Sequence, residues 1–179
     1  MKTKTKKALA TMNILTWIVF IGCCMQTGAL LFTFFMSLFT NPLAAKNLYL
    51  GLNLSDLYES STTHYVLMVG ALILQYALRA YLTYLVIRIF LKINFVHPFS
   101  PDIAAIIAKI SYIAFGTGIL IVLAKEYSKW LMEKGIVLNN LQQYLEGGTE
   151  FILMAAILFI VAQVFNRGIE LQTENELTI

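Results

Sequence analysis

The sequence predicts an all-α integral membrane protein, a single domain over residues 1–179 in which four antiparallel helices cross the bilayer and both termini lie in the cytoplasm. Of the 179 residues, 59% are hydrophobic and 13% are charged, whereas soluble domains carry about 25% charged residues. The apolar residues concentrate in four long stretches, and the chain length suits four spans of roughly 20 residues joined by short loops. These observations exclude an ordinary water-soluble fold.

The first apolar stretch predicts a span over residues 14–39. No charged residue occurs between Lys7 and Lys46, and the run is long enough to cross the bilayer with some tilt. A cluster of four lysines precedes it, as in a secretory signal peptide. The hydrophobic region of a signal peptide is only about 7–15 residues long, however, so we interpret this segment as an uncleaved first span.

Three further apolar stretches predict the remaining spans. The fourth is the shortest, because its apolar part lies between Glu150 and Arg167, and local bilayer thinning or snorkelling of flanking side chains can absorb the mismatch. These spans cover residues 65–87, 103–124 and 148–166, and a cytoplasmic tail follows over 167–179.

The positions of lysine and arginine at the span ends predict the orientation, since cytoplasmic segments carry an excess of them. With the N-terminus inside, seven lie in cytoplasmic segments and four lie in the two outer loops. The cytoplasmic ones are Lys2, Lys4, Lys6, Lys7, Arg88, Lys92 and Arg167, and the outer ones are Lys46, Lys125, Lys129 and Lys134.

The connections between the spans carry structure of their own. Both outer loops, residues 44–59 and 125–146, hold apolar residues at helical spacing and predict short interfacial helices. In the inner connection, Ser100 is a suitable N-cap for the third helix, Pro101 its first residue and Asp102 a first-turn carboxylate. The apolar positions of the outer loops include Leu48, Leu52, Leu57, Trp130, Leu131, Leu138 and Leu141.

Arg79 and Lys109 are cations inside predicted spans, and Gln163 lies at similar depth. A charge near the bilayer centre costs about 2.5–3.5 kcal/mol on insertion scales, so each cation needs a partner, a water-filled cavity or a route to the surface. Both side chains can snorkel to the cytoplasmic interface while their stems pack. Alternatively, the three residues line a wet inner cavity that binds an anion, a lipid headgroup or an acidic peptide. Lipid-facing defects or a misplaced span boundary are further alternatives.

A stripe of small residues runs along the third span and predicts a close helix–helix contact, because small side chains let helix backbones approach in lipid. This contact lies either within the bundle or at the seam of a homodimer. The stripe consists of Ala104, Ala108, Ser111 and Gly118, interrupted by Phe115.

Metal, cofactor and nucleophile chemistry finds no support in the sequence. His64 and His97 belong to opposite ends of the predicted bundle, and the adjacent Cys23 and Cys24 lack a histidine at matching depth. No set of acid, base, nucleophile and metal ligand shares one depth. We therefore predict a non-enzymatic protein without a cofactor, and no direct contact with nucleic acid. The four N-terminal lysines indicate an anchor on anionic lipid instead.

The tail is acidic but ends on apolar residues. It is either a frayed cytoplasmic extension or a short recognition segment that docks on a basic partner or folds back under the inner connection.

Three segments on the predicted cytoplasmic face, His97–Asp102, Val164–Leu171 and Glu174–Ile179, resemble the YoaS-like family of small bacterial four-span membrane proteins, which carry a domain of unknown function. The resemblance implies a location in the bacterial cytoplasmic membrane. Family members are often encoded beside a very small helix-turn-helix regulator, so it also implies a membrane partner that holds or releases a DNA-binding protein. The candidate docking residues are Phe99, Ser100, Pro101, Asp102, Arg167, Glu170, Glu174 and Glu176.

Two functional hypotheses follow. The first is a non-enzymatic membrane partner or sensor for such a cytoplasmic regulator, in which the acidic tail suits a basic DNA-binding domain electrostatically. The alternative is a small transporter or channel that uses Arg79, Lys109 and Gln163 as an inner anion site.

Overall fold

The computed structural model describes residues 2–93, 99–138 and 140–176, and every regular element in these ranges is helical. Four long helices have the length and composition to cross a membrane, which confirms the predicted fold class. The long helices are α1 (Lys2–Phe39), α3 (Thr62–Lys92), α4 (Pro101–Glu133) and α5 (Gly148–Glu176); α2 (Ser55–Ser60) and 3-10 helices at Pro42–Lys46 and Gln142–Tyr144 are short.

The four long helices pack in the order α1, α3, α4, α5, and each runs antiparallel to its neighbour. Tyr65 near the start of α3, for example, contacts Ser37 near the end of α1, while Tyr84 contacts Phe20 much earlier in α1. We call the end of the bundle with the connections 40–61 and 134–147 the loop end. The end with the start of α1, the start of α4 and the end of α5 is the terminal end.

The small-residue stripe of α4 packs against α5. A Cβ atom built on Gly118 would lie 2.7 Å from the carbonyl oxygen of Gly148 and 2.6 Å from Cγ1 of Ile152, so the two backbones approach as closely as glycine permits. Two turns away along α4, the Ser111 hydroxyl donates a hydrogen bond of 2.8 Å to the carbonyl of Ala155. The stripe is therefore used within the chain.

The two loop-end connections form a packed cap over the bundle. The leucines that predict interfacial helices point inward, where they share one hydrophobic cluster with Leu30, Tyr65 and Leu72 of the helices. Burial against other protein side chains removes more apolar surface than half-immersion in a lipid interface, which explains why the short helices fold onto the bundle. The buried leucines are Leu48, Leu52, Leu57, Leu131, Leu138 and Leu141, while Trp130 is 40% exposed.

All four long helices extend beyond the spans predicted for them, and α3, with bounds Thr62–Lys92, does so at both ends. α1 begins at Lys2, α4 runs past residue 124 to Glu133, and α5 continues through the tail to Glu176. The tail is thus helical as far as residue 176 and not frayed from Arg167 onward. Hydropathy locates the part of a helix that suits lipid, whereas the hydrogen bonds of the helix continue wherever helix-forming polar residues follow.

Candidate functional site

The start of α4 at the terminal end is built as the sequence predicts. The Ser100 hydroxyl accepts a hydrogen bond of 3.3 Å from the Ile103 amide, and Pro101 occupies the first turn. Asp102 forms an ion pair with Lys92, the last residue of α3. Both side chains are exposed, so this pair contributes little to the stability of the fold. His97 lies outside the described residues.

Phe99 joins this start to α5. Its ring packs edge-on against Phe165, with 5.4 Å between the ring centroids, and covers Gly168, where a Cβ would lie 2.6 Å from the ring. Because α5 has no side chain at that position, the ring can approach its backbone closely. The two halves of the predicted docking site, 99–102 and the end of α5, therefore meet.

The last turns of α5 carry the acidic residues of the tail. Arg167 and Glu170 form an exposed ion pair of 2.6 Å, one turn apart. Leu171 is 47% exposed beside them, and Glu174 is also exposed. Glu176 is the last residue of the helix, and its side chain is outside the described part of the structure. The segment beyond Gly168 runs eight residues, or about 12 Å, along the helix axis.

Arg79 of α3 is fixed by the chain that leads into α5. Its guanidinium lies over the rings of Tyr76 and Phe151, 5.2 and 5.4 Å from their centroids. Its Nη2 donates a hydrogen bond of 3.0 Å to the carbonyl of Glu146. Within the described residues, Nε is buried without a hydrogen-bond partner. Arg79 therefore extends towards the loop end and holds the connection 134–147 against α3, contrary to the expectation that it snorkels to the opposite, terminal end.

The groove beside Arg79 does not bring together the three residues of the predicted inner cavity. Arg79 lines an apolar groove of about 660 Å³ that includes neither Lys109 nor Gln163. Lys109 is exposed on α4, with its ammonium 5.2 Å from the centroid of Tyr81, and Gln163 is exposed on α5. The transporter hypothesis requires a common site for the three, and this geometry does not favour it.

Sequence reasoning missed the hydrogen bonds that join the two loop-end connections to α3 and to each other. The Gln75 amide, fully buried, donates a hydrogen bond of 2.6 Å to the carbonyl of Tyr144. The Tyr144 hydroxyl lies 3.0 Å from the carbonyls of both Tyr49 and Leu50 in the other connection. A glutamine inside a predicted span was the signal, since a buried amide in lipid needs a partner.

His64 packs among aromatic side chains, and the two cysteines lie next to each other on α1. His64 Nδ1 lies 2.6 Å from the Tyr127 hydroxyl, and its ring packs edge-on against Trp130. Cys23 is partly buried and Cys24 is exposed. In the described part of the chain, no group of three or more His, Cys, Asp or Glu side chains could hold a metal ion.

Four long apolar helices define a multi-pass, membrane-type protein. More particularly, the chain belongs to the family DUF2975, described as a protein of unknown function, whose family model matches residues 49–179. The matched region contains α3, α4 and α5 with both halves of the predicted docking site, and it excludes α1.

No curated protein and no solved structure matches the chain.

Proposed function

We propose that this chain is a non-enzymatic protein of the bacterial cytoplasmic membrane that docks a small, basic helix-turn-helix regulator on the end of α5. In this proposal the terminal end faces the cytoplasm, as the lysine and arginine distribution predicts. The observation that carries it is the continuation of α5 past Gly168 as an exposed helix with acidic side chains.

The base of this extension is held in place, which favours recognition. Phe99 packs on both Phe165 and Gly168, so the last turns of α5 project from a fixed position beside the start of α4. A segment that is already helical loses less conformational entropy on binding than a disordered tail.

The chemistry of the extension suits a basic partner. Residues 167–176 contain one arginine and three glutamates, hence a formal charge of +1 − 3 = −2. Negative charge steers a DNA-binding domain, whose surface is positive, and the half-exposed Leu171 supplies an apolar anchor of the kind that helix-in-groove recognition uses. The YoaS-like resemblance adds a candidate, the helix-turn-helix protein encoded by an adjacent gene.

The test is co-purification of that regulator with the tagged, detergent-solubilised chain. We expect the double variant Glu170→Lys with Glu174→Lys to retain at least tenfold less regulator than the wild type, and retention by the wild type to fall as salt rises. Deletion of residues 170–179 should have the same effect.

Glu126→Lys is a matched control. Glu126 is also an exposed glutamate in a one-turn ion pair, with Lys129, but it lies near the loop end. The control should retain the regulator, whereas the single variant Glu170→Lys, which makes the same charge change on the extension, should retain less of it. Equal retention by the double variant and the wild type would reject the extension as the docking site.

A further inference from the structure

An apolar groove runs between α1 and α5, the two helices at the ends of the packing order. Its floor comes from α3 and α4, and its volume is about 660 Å³. It extends along α3 from Ile89 to Arg79, which is ten residues or about 15 Å. Met12 of α1 lies at the mouth, near the terminal end, and Phe151 of α5 closes the far end beside Arg79.

Few polar groups line the groove, and the only one that is buried without a partner among the described residues of the lining is Nε of Arg79 at its far end. Its two threonines have bonded their hydroxyls to their own helices: Thr16 donates to the Met12 carbonyl at 2.8 Å and Thr83 to the Arg79 carbonyl at 2.7 Å. The remaining lining is almost wholly apolar. At hydrocarbon depth there is little water to fill such a space, and an empty groove forfeits the dispersion contacts of every atom that lines it.

We propose that this groove binds one acyl chain of an anionic phospholipid from the leaflet at the terminal end. Its length of about 15 Å is half of a hydrocarbon core of about 30 Å, which is the depth that one leaflet's chains fill. A helix from a second copy of the chain does not fit this space, because it would need a groove through the whole thickness, whereas the lining of this one ends at Arg79 and Phe151, about halfway through.

The positive charge at the start of α1 favours an anionic headgroup. Lys7 lies five residues before Met12 on α1, about 8 Å closer to the terminal end, and three more lysines stand at positions 2, 4 and 6. No acidic residue precedes Asp56, so α1 brings only positive charge to this interface. Juxtamembrane lysines of this kind attract anionic headgroups, and their place on the helix matches a phosphate just outside the mouth of the groove.

Native mass spectrometry of the full chain, with phosphatidylglycerol and phosphatidylcholine added in equal amounts, tests the proposal. We expect the wild type to retain one phosphatidylglycerol per chain after a detergent wash that strips other lipid. Filling the groove with Val19→Trp and Leu158→Trp should lower retention at least tenfold. The matched pair Ile18→Trp and Leu153→Trp, at exposed positions outside the groove, should retain it.

Replacing the four lysines by glutamine should abolish the preference for phosphatidylglycerol while one lipid still binds. If the groove-filling pair fails to give a monodisperse protein, Leu158→Phe replaces it and should lower retention to a smaller extent. Undiminished retention in the filled variant, or equal retention of the two lipids by the wild type, overturns the proposal.

Discussion

Replacing Gly118 by alanine tests whether α4 and α5 are held together by backbone contact. The added Cβ would lie 2.7 Å from the Gly148 carbonyl oxygen and 2.6 Å from Cγ1 of Ile152. Ordinary contact begins at 3.4 Å, so the helices must separate by about 0.7 Å (3.4 − 2.7) at this point. Separation at this point also loosens the neighbouring contacts, because Gly148 lies equally close to α4 at Ile121 and Val122, where a Cβ on Gly148 would lie 3.1 and 3.0 Å from the side chains.

The expected cost follows from two opposing effects. Forcing an extra methyl group into a packed contact costs about 1–3 kcal/mol, whereas alanine favours a helix over glycine by about 1 kcal/mol. The net destabilisation is therefore about 0–2 kcal/mol, too small to interpret alone. Gly116→Ala separates the effects, because it lies on the same helix and a Cβ there meets nothing within 4 Å.

The measurement is unfolding of each purified variant in mixed micelles, followed by circular dichroism as the denaturing detergent increases. Since the helix-propensity gain is common to both variants, the difference between them reports the contact, and we expect Gly118→Ala to be the less stable by about 1–3 kcal/mol. Equal stabilities would show that α4 and α5 can part without loss, and the close-packed interface described above would then be refuted.

Two further outcomes test the cap and the orientation. Gln75→Ala should destabilise the protein by about 1–3 kcal/mol and speed amide hydrogen exchange in Gln142–Tyr144, because it leaves the buried Tyr144 carbonyl unpaired. Gln142→Ala, at an exposed position of the same connection, should do neither. The orientation is tested in a variant with Cys23 and Cys24 replaced by serine, to which single cysteines are added. A membrane-impermeant thiol reagent should label Ser100→Cys and Thr173→Cys only from the cytoplasmic side, and Lys129→Cys only from the outside. Labelling of the first two from opposite sides would contradict the orientation.

The spans and the start of α4 were predictable because their signals are local. A continuous apolar run indicates lipid regardless of its neighbours, and Ser100 caps α4 through a hydrogen bond to a residue three positions away. The packing of the two loop-end connections over the bundle was not predictable in this way. Whether Leu48 faces lipid or protein depends on the partners that the other connection brings, and those partners, such as Leu138 and Leu141, lie about 90 residues along the chain.

Arg79 and Lys109 have different partners, and one physical cause of this difference is the direction of their helices. Side chains on an α-helix lean towards its N-terminus. α3 begins at the loop end, so Arg79 leans to that end and reaches the Glu146 carbonyl. α4 runs in the opposite direction, and Lys109 is exposed, with its ammonium 5.2 Å from the centroid of the Tyr81 ring. The two cations thus have separate partners within the described residues and do not converge on one anion in the groove. Because Arg79 is the only cation in the lining of that groove and its Nη2 is bonded to the Glu146 carbonyl, an acyl chain fits the remaining apolar lining better than a solvated ion does.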